Sequence, residues 1–206
     1  MFRLPMRVPR SVFVAVSGGP DSMAALHFLR RSHEVVAVHF NHGTDHGKEA
    51  EQFVDHAMRV SGVPLIIGRI GRERAEKESK EEFWRNERYT FFRQVVGNAP
   101  LVMAHTLDDA MENWVFTSLH GMPRLIPKQN GNILRPFILS RKADMLEWCQ
   151  QKGVPFILDP GNMDLSFPRA RIRHVVMPEL LRINPGLPKV IAKRYMRGED
   201  HVQDDG

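Results

Sequence analysis

From residue 12 onward the chain alternates between two hydrophobic patterns. The runs VFVAV (12–16), VVAVHF (35–40), PLIIGRI (64–70) and PLVMAH (100–105) are short and almost wholly apolar. Runs of that kind, rich in Val and Ile, read as strands covered on both faces. Between them, in 22–32, 48–62 and 79–97, apolar residues fall three and four apart, the spacing of helices packed on one side. Gly62 and Gly97 stand where the second and third helices would need a C-cap. Strand and helix in strict alternation predict an α/β fold: a doubly wound, mainly parallel five-stranded sheet with helices on both faces. The fifth strand falls in ILRPFI (133–138), after a Pro-, Asn- and Gly-containing loop at 122–132. Helices are predicted for 140–152 and from about 168 to 181, and the segment beyond Asn184 reads as a polar tail, frayed at GEDHVQDDG (198–206). The expected organisation is one catalytic domain over 1–185 with a tail at 186–206.

The first strand empties into AVSGGPDS (15–22). Gly18 and Gly19 leave backbone amides open to an anion, Ser17 and Ser22 add hydroxyls, and the next helix aims its positive end at the same point. The carboxyl end of a strand beside a topological switch is where open α/β sheets bind ligands. Phosphate is therefore the expected ligand, although glycines also occur in ordinary strand-to-helix turns. The loop has no Gly-Lys-Ser/Thr and no Gly-x-Gly-x-x-Gly, which excludes a Walker A loop and a dinucleotide fingerprint.

Charge and composition narrow the classes further. A net charge of +5 and a pI near 9.7 suit a polyanionic partner. One cysteine, Cys149, rules out an internal disulfide and a cysteine-built metal centre within one chain. The Pro-interrupted start is no signal peptide, and no apolar run approaches the ~18 residues of a membrane span. A cytoplasmic protein with no membrane partner is expected.

The loop resembles the Ser-Gly-Gly-x-Asp-Ser loop of the PP-loop ATP pyrophosphatases, which split ATP between its α and β phosphates. Four further segments are similar to those of the tRNA(Ile)-lysidine synthetase family, in its order: VHFNHG (38–43), EEFWRNERY (81–89), AHTLDDAMEN (104–113) and ILDPGNMDLSFPRARIRHVVMPEL (157–180). Trp84, Thr106, Asn113, Leu158, Gly161, Phe167 and Ala170 depart from that family's usual residues. Sulfur-transferring relatives generally need two cysteines, which this chain lacks.

The residues carry readings of their own. Ser79 and Glu82 form a capping box, and Arg85, Arg88 and Tyr89 then share a helix face that suits phosphate or a stacked base, or is merely a solvated charged face. Thr106 caps the next helix with Asp108 and Asp109 in its first turn, placed for dipole stabilisation or for magnesium or an amine. His105 is either a phosphate contact or a hydrogen-bonded strand-end histidine. Pro168 suits a helix start, and Arg169 and Arg173 share a face that Arg171 does not. Asp159, Asn162 and Asp164 fit Asx turns.

What the resemblance implies is specific. ATP adenylates the wobble cytidine of a CAU-anticodon tRNA(Ile), and free L-lysine displaces AMP to form lysidine. Ser17, Gly18, Gly19, Pro20, Asp21, Ser22, His39, Asn41 and His105 are implied in ATP binding, and Asp21 in holding Mg2+. Asp108, Arg85 and Arg173 are implied in catalysis, with His174 beside Arg173. The tRNA would be held by the basic domain alone, as a homodimer or with a partner. Two alternatives stay open: another PP-loop ligase acting on a different carbonyl, and a non-catalytic nucleotide or RNA-binding module.

Overall fold

The structure is a computed structural model that describes residue 2 and residues 4–200, apart from the side chains of Pro160 and Asn162. β1 (Ser11–Ala15), α1 (Pro20–Leu29), β2 (Glu34–Asn41), α2 (Asp45–Ser61), β3 (Leu65–Arg69), α3 (Lys80–Val96), β4 (Leu101–Val102) and α4 (Leu107–Leu119) follow in strict alternation. A short hairpin of β5 (Gln129–Asn130) and β6 (Ile133–Leu134) comes next, then α5 (Lys142–Lys152). A 3-10 turn (Pro160–Met163) leads into α6 (Pro168–Arg171), a π-helical stretch (Ile172–Val176), α7 (Met177–Ile183) and α8 (Leu187–Met196).

The sheet runs β3-β2-β1-β4-β6-β5, with β5 alone antiparallel to its neighbour. The five expected parallel strands are thus present, and a two-residue sixth is added by the hairpin. β4 keeps only Leu101–Val102 of the predicted run, although the Met103 N–H still donates to the Leu134 carbonyl of β6 at 2.9 Å. Gly62 and Gly97 do close α2 and α3.

Period-two alternation explains how β1 sits between two cores. Val12, Val14 and Val16 face α1, α2 and α5, while Phe13 and Ala15 pack on the opposite side with Val38, Phe92 and Leu101. Gly68 in β3 exists for packing: a Cβ there would lie 2.5 Å from the Phe91 ring. A third cluster joins α4 to the last helices through Met111, Val115, Ile172, Ile191 and Tyr195. The segment read as a polar tail therefore contains a packed helix, Leu187–Met196, with Ile191 and Tyr195 fully buried and Tyr195 Oη donating to the Ile126 carbonyl at 2.7 Å. Residues 201–206 lie outside the described residues. No helix among the described residues is long and apolar enough to cross a membrane.

β1 pairs with both β2 and β4, so the chain leaves it in opposite directions on its two sides. Such a switch opens a crevice at the carboxyl ends of the strands. The loops after β1 and β4 both empty there.

Candidate active site

The loop after β1 is braced by its own hydroxyls. Ser22 Oγ accepts the Ser17 N–H at 3.1 Å and donates to the Gly19 carbonyl at 3.0 Å, while Ser17 Oγ accepts the Gly19 N–H at 3.3 Å. Gly18 adopts φ +91°, and a Cβ on it would meet Ile157 at 3.2 Å. That glycine is demanded by the fold itself. Gly19 is different: it caps α1 at φ −73°, and a Cβ there would meet only Ser17 Oγ, at 3.5 Å. The fold tolerates a side chain at Gly19, so its bareness serves close approach by something else. Pro20 occupies the first turn of α1, and the N–H groups of Asp21 and Ser22 have no carbonyl four residues back within the helix. The result is a glycine turn whose following helix starts with amides that lack helical partners, a geometry suited to an anion.

Facing it is a chain of charges in which Asp21, Asp109 and Arg173, named from the sequence, are linked by two residues that were not, Lys142 and Glu112. Lys142, the first residue of α5, places Nζ 2.7 Å from Asp109 Oδ1 and 3.4 Å from Asp21 Oδ2. Arg173 reaches from the π-helical stretch to Glu112, with Nε and Nη2 donating at 2.8 and 2.7 Å, and its Nη2 lies 3.6 Å from Asp109. Asp109 Oδ2 also accepts the Thr106 N–H and hydroxyl at 2.8 Å each, completing a capping box.

The two carboxylates around Lys142 are driven apart. Burial raises Asp21 to about 6, since Lys142 stands too far off to compensate fully and Asp109 adds repulsion. Burial also opposes ionisation of Asp109, but Lys142, His105 and the Thr106 N–H outweigh it and hold the carboxyl at about 2. Three carboxylates share two cations in this string, which leaves a negative surplus next to the anion cradle.

Asp108 points elsewhere. Its oxygens accept Arg141 Nε, Arg141 Nη2 and the Lys142 N–H at 2.8 to 3.1 Å, so it ties α4 to the first turn of α5. An oxygen pair so committed is a poor holder for a substrate amine. Asn41 is likewise turned away from the loop, donating to Glu51 at 2.8 Å and accepting the Gly43 N–H. That arrangement fastens β2 to α2.

The histidines stay near the cradle and neutral. His39 Nδ1 donates to the Val16 carbonyl at 2.8 Å, and its Nε2 is buried without a partner. Burial pushes His105 down to about 4, and its Nδ1 is also without a partner. His42 follows the same course, packed between Phe40 and Trp84.

Arg85 and Arg88 divide in an unexpected way. Arg85 is exposed and stacks over Tyr89 at 5.0 Å. Arg88 turns inward: its Nε is buried with no hydrogen-bond partner, no described carboxylate pairs with it, and burial lowers its pKa. A desolvated guanidinium without an anion is costly. Spacing held the signal, because Arg88 lies four residues before Phe92 and eight before Val96, both buried. Glu112 was also legible, three residues after Asp109 on the same helix.

In the last segment, Arg169 and Arg173 both lie against α4, the first over the Phe116 ring at 4.6 Å, while Arg171 is exposed. Asp159 and Asp164 form the expected Asx turns with Gly161 and Ser166, and the side chain of Asn162 lies outside the described residues. Cys149 is a buried thiol beneath the loop, 3.5 Å from the Pro20 carbonyl and raised to about 11 by burial.

A family described as the PP-loop domain matches residues 3–180. A tRNA(Ile)-lysidine synthase of Thermotoga sp. (strain RQ2) is 30% identical over 190 residues, 84% of this chain and 46% of its own length. A bifunctional protein TilS/HprT of Listeria innocua is 34% identical over 97% of this chain and 33% of its own, and the tRNA(Ile)-lysidine synthase of Bacillus subtilis is 29% identical over 95% and 45%. The chain thus spans less than half the length of these relatives. Among solved structures, the U34-tRNA thiolase NcsA from Methanococcus maripaludis matches with a TM-score of 0.74 at 15% identity, over 95% of this chain and 74% of its own. That likeness is one of fold.

Proposed function

The chain belongs to the PP-loop domain family, and from that membership we propose that it is an ATP-dependent ligase of tRNA, joining free lysine to C2 of the wobble cytidine in a CAU anticodon. The observation that carries the reading is the adjacency of two opposite sites: a bare-glycine anion cradle, and a carboxylate string with more acids than cations. Joining an amine to a carbonyl carbon through an adenylate requires both, one for the departing pyrophosphate and one for the incoming ammonium.

In this reading the Gly18 to Ser22 loop and the first turn of α1 hold the pyrophosphate portion of ATP. Mg2+ fits as an ion carried on those phosphates and touched by Asp21, since a single carboxylate plus phosphate oxygens is a usual magnesium shell. No group of three or more potential metal ligands stands among the described residues. The ion would supply charge neutralisation at the leaving pyrophosphate. Lys142 and the unpaired Arg88 offset negative charge as the carbonyl oxygen is adenylated. The oxygens of Asp108, Asp109 and Glu112 are all engaged, by Arg141, by Thr106 and Lys142, and by Arg173. The amine is therefore drawn by the negative surplus of the string as a whole rather than held by one of these carboxylates. At a pKa of about 2, Asp109 stays ionised within that string and is a weak base.

Incorporation of radiolabelled lysine into an unmodified CAU-anticodon transcript tests this directly, with ATP, Mg2+ and a control transcript bearing uridine at the wobble position. Label on the first and none on the second is expected. Pyrophosphate release without label would instead favour a PP-loop ligase with another nucleophile. Within the same assay, Arg88→Gln should lower turnover about 100-fold or more, as losing a preorganised charge does, while Arg85→Gln stays within about threefold of wild type. Equal losses would put the two arginines back on one footing.

A further inference from the structure

The chain's positive charge is not spread evenly. Residues 169–197 hold eight Lys and Arg against the single Glu179, a net of +7, whereas the whole chain carries +5; everything outside this block therefore sums to −2. Arg173 alone of the eight reaches into the active site.

α8 concentrates the effect. Ile191 and Tyr195 bury one side of it against α4, and Lys128 Nζ donates to the Tyr195 carbonyl at 3.1 Å. Lys189, Lys193 and Arg197 follow at four-residue steps on the opposite side, all exposed. No carboxylate among the described residues pairs with Lys189 or Lys193, and Arg197 has only a distant contact with Glu199 at 3.8 Å. The stripe is held rigidly by packing that does not involve its charges. Through Ile191 and Tyr195 the helix packs on α4, whose first turns carry Asp109 and Glu112.

We propose that the Lys189–Lys193–Arg197 face of α8 is a docking surface for the phosphate backbone of the substrate RNA, an inference that rests on the tRNA reading above. A row of cations about 6 Å apart along a helix, two of the three without a carboxylate partner among the described residues, suits a polyanion. Because the other side of α8 packs on α4, RNA held on the stripe is anchored to the helix that carries Asp109 and Glu112. Val190 and Met196 are exposed next to the stripe, and an anionic membrane is the occupant that the test must separate from RNA.

The test is fluorescence anisotropy of a labelled CAU-anticodon transcript against the full chain and its Lys189→Glu/Lys193→Glu variant, over a series of KCl concentrations. Lysine incorporation is measured alongside. The variant is expected to bind at least about tenfold more weakly near 0.1 M salt, with a log Kd–log salt slope shallower by roughly 1.5 to 2, the loss of two phosphate contacts. Its KM for tRNA should rise while kcat at saturating tRNA holds. A control Lys48→Ala/Arg59→Ala variant, which removes charge from α2, should leave both unchanged. Unaltered affinity and slope in the variant would overturn the surface while leaving the tRNA reading intact. Wild-type protein that neither binds nor modifies the transcript would overturn the tRNA reading itself. Binding to phosphatidylserine vesicles that the variant loses, with RNA affinity intact, would overturn the assignment in favour of a membrane.

Discussion

Asp109→Ala should lower stability by about 2–4 kcal/mol, a larger loss than any other single carboxylate of the site would cause. Two independent terms set that size. Removing the capping-box partner of Thr106 costs about 1 kcal/mol. The second term comes from Lys142 and Arg173, which lose their shared carboxylate at 2.7 and 3.6 Å. Breaking a buried pair leaves uncompensated charge and costs roughly 3–5 kcal/mol in a fully buried site. Asp109 keeps 18% of its side chain exposed and Lys142 32%, so the lower part of that range applies. For a chain of this size the melting temperature should drop by roughly 5–12 °C. Asp109→Asn separates the terms, since an amide oxygen can still accept the Thr106 N–H while the charge is gone.

The same residue gives a pH signature. Its folded pKa of about 2 lies below the unfolded carboxylate value, so its stabilisation is complete above about pH 4 and disappears as pH falls toward 2. Thermal melts of wild type and Asp109→Asn should therefore converge over that window. A loss under about 0.5 kcal/mol in Asp109→Ala at pH 7 would mean that Lys142 and Arg173 find other partners.

How far this site could be read from sequence depends on whether each residue acts through local or distant neighbours. The loop, the Thr106 cap and the Pro168 start were legible because their partners lie within a few residues. Lys142 was not, because its meaning comes from residues 33 and 121 positions away, brought together only by the parallel sheet. Arg85 and Arg88 were placed correctly on one helix, but which of them turns inward follows from the apolar stripe of Phe92 and Val96 rather than from charge. Asp108 and Asn41 carry motif resemblance, but the fold uses both as fasteners between elements. The final helix was missed because its basic residues outnumber the two that bury it, Ile191 and Tyr195. A polar average hid an amphipathic helix.

Asp21→Asn should abolish most activity and at the same time make the protein more stable at alkaline pH. Asp21 is 25% exposed, and burial lifts its carboxyl to about 6 because Lys142, at 3.4 Å, compensates only in part. The sign follows directly: a carboxyl whose folded pKa exceeds its unfolded value is protonated more readily in the folded state. Stability is then highest below about pH 4, falls as pH rises from about 4 to 6, and stays reduced above that. A shift of about two units corresponds to roughly 3 kcal/mol at most. Partial exposure and the loss of the weak Lys142 contact reduce the net gain of the amide to about 1–2 kcal/mol, or roughly 3–6 °C in melting temperature at pH 8. By pH 4 the two proteins should melt together. A strained, desolvated carboxylate retained at such a cost is the mark of a group kept for function. Pyrophosphate release in the variant should accordingly fall at least about 100-fold, the scale of losing one electrostatic group at a reacting centre. If Asp21→Asn proved less stable than wild type at pH 8, the carboxylate would be a structural partner of Lys142, and the magnesium role would have to move to Asp109 or Glu112.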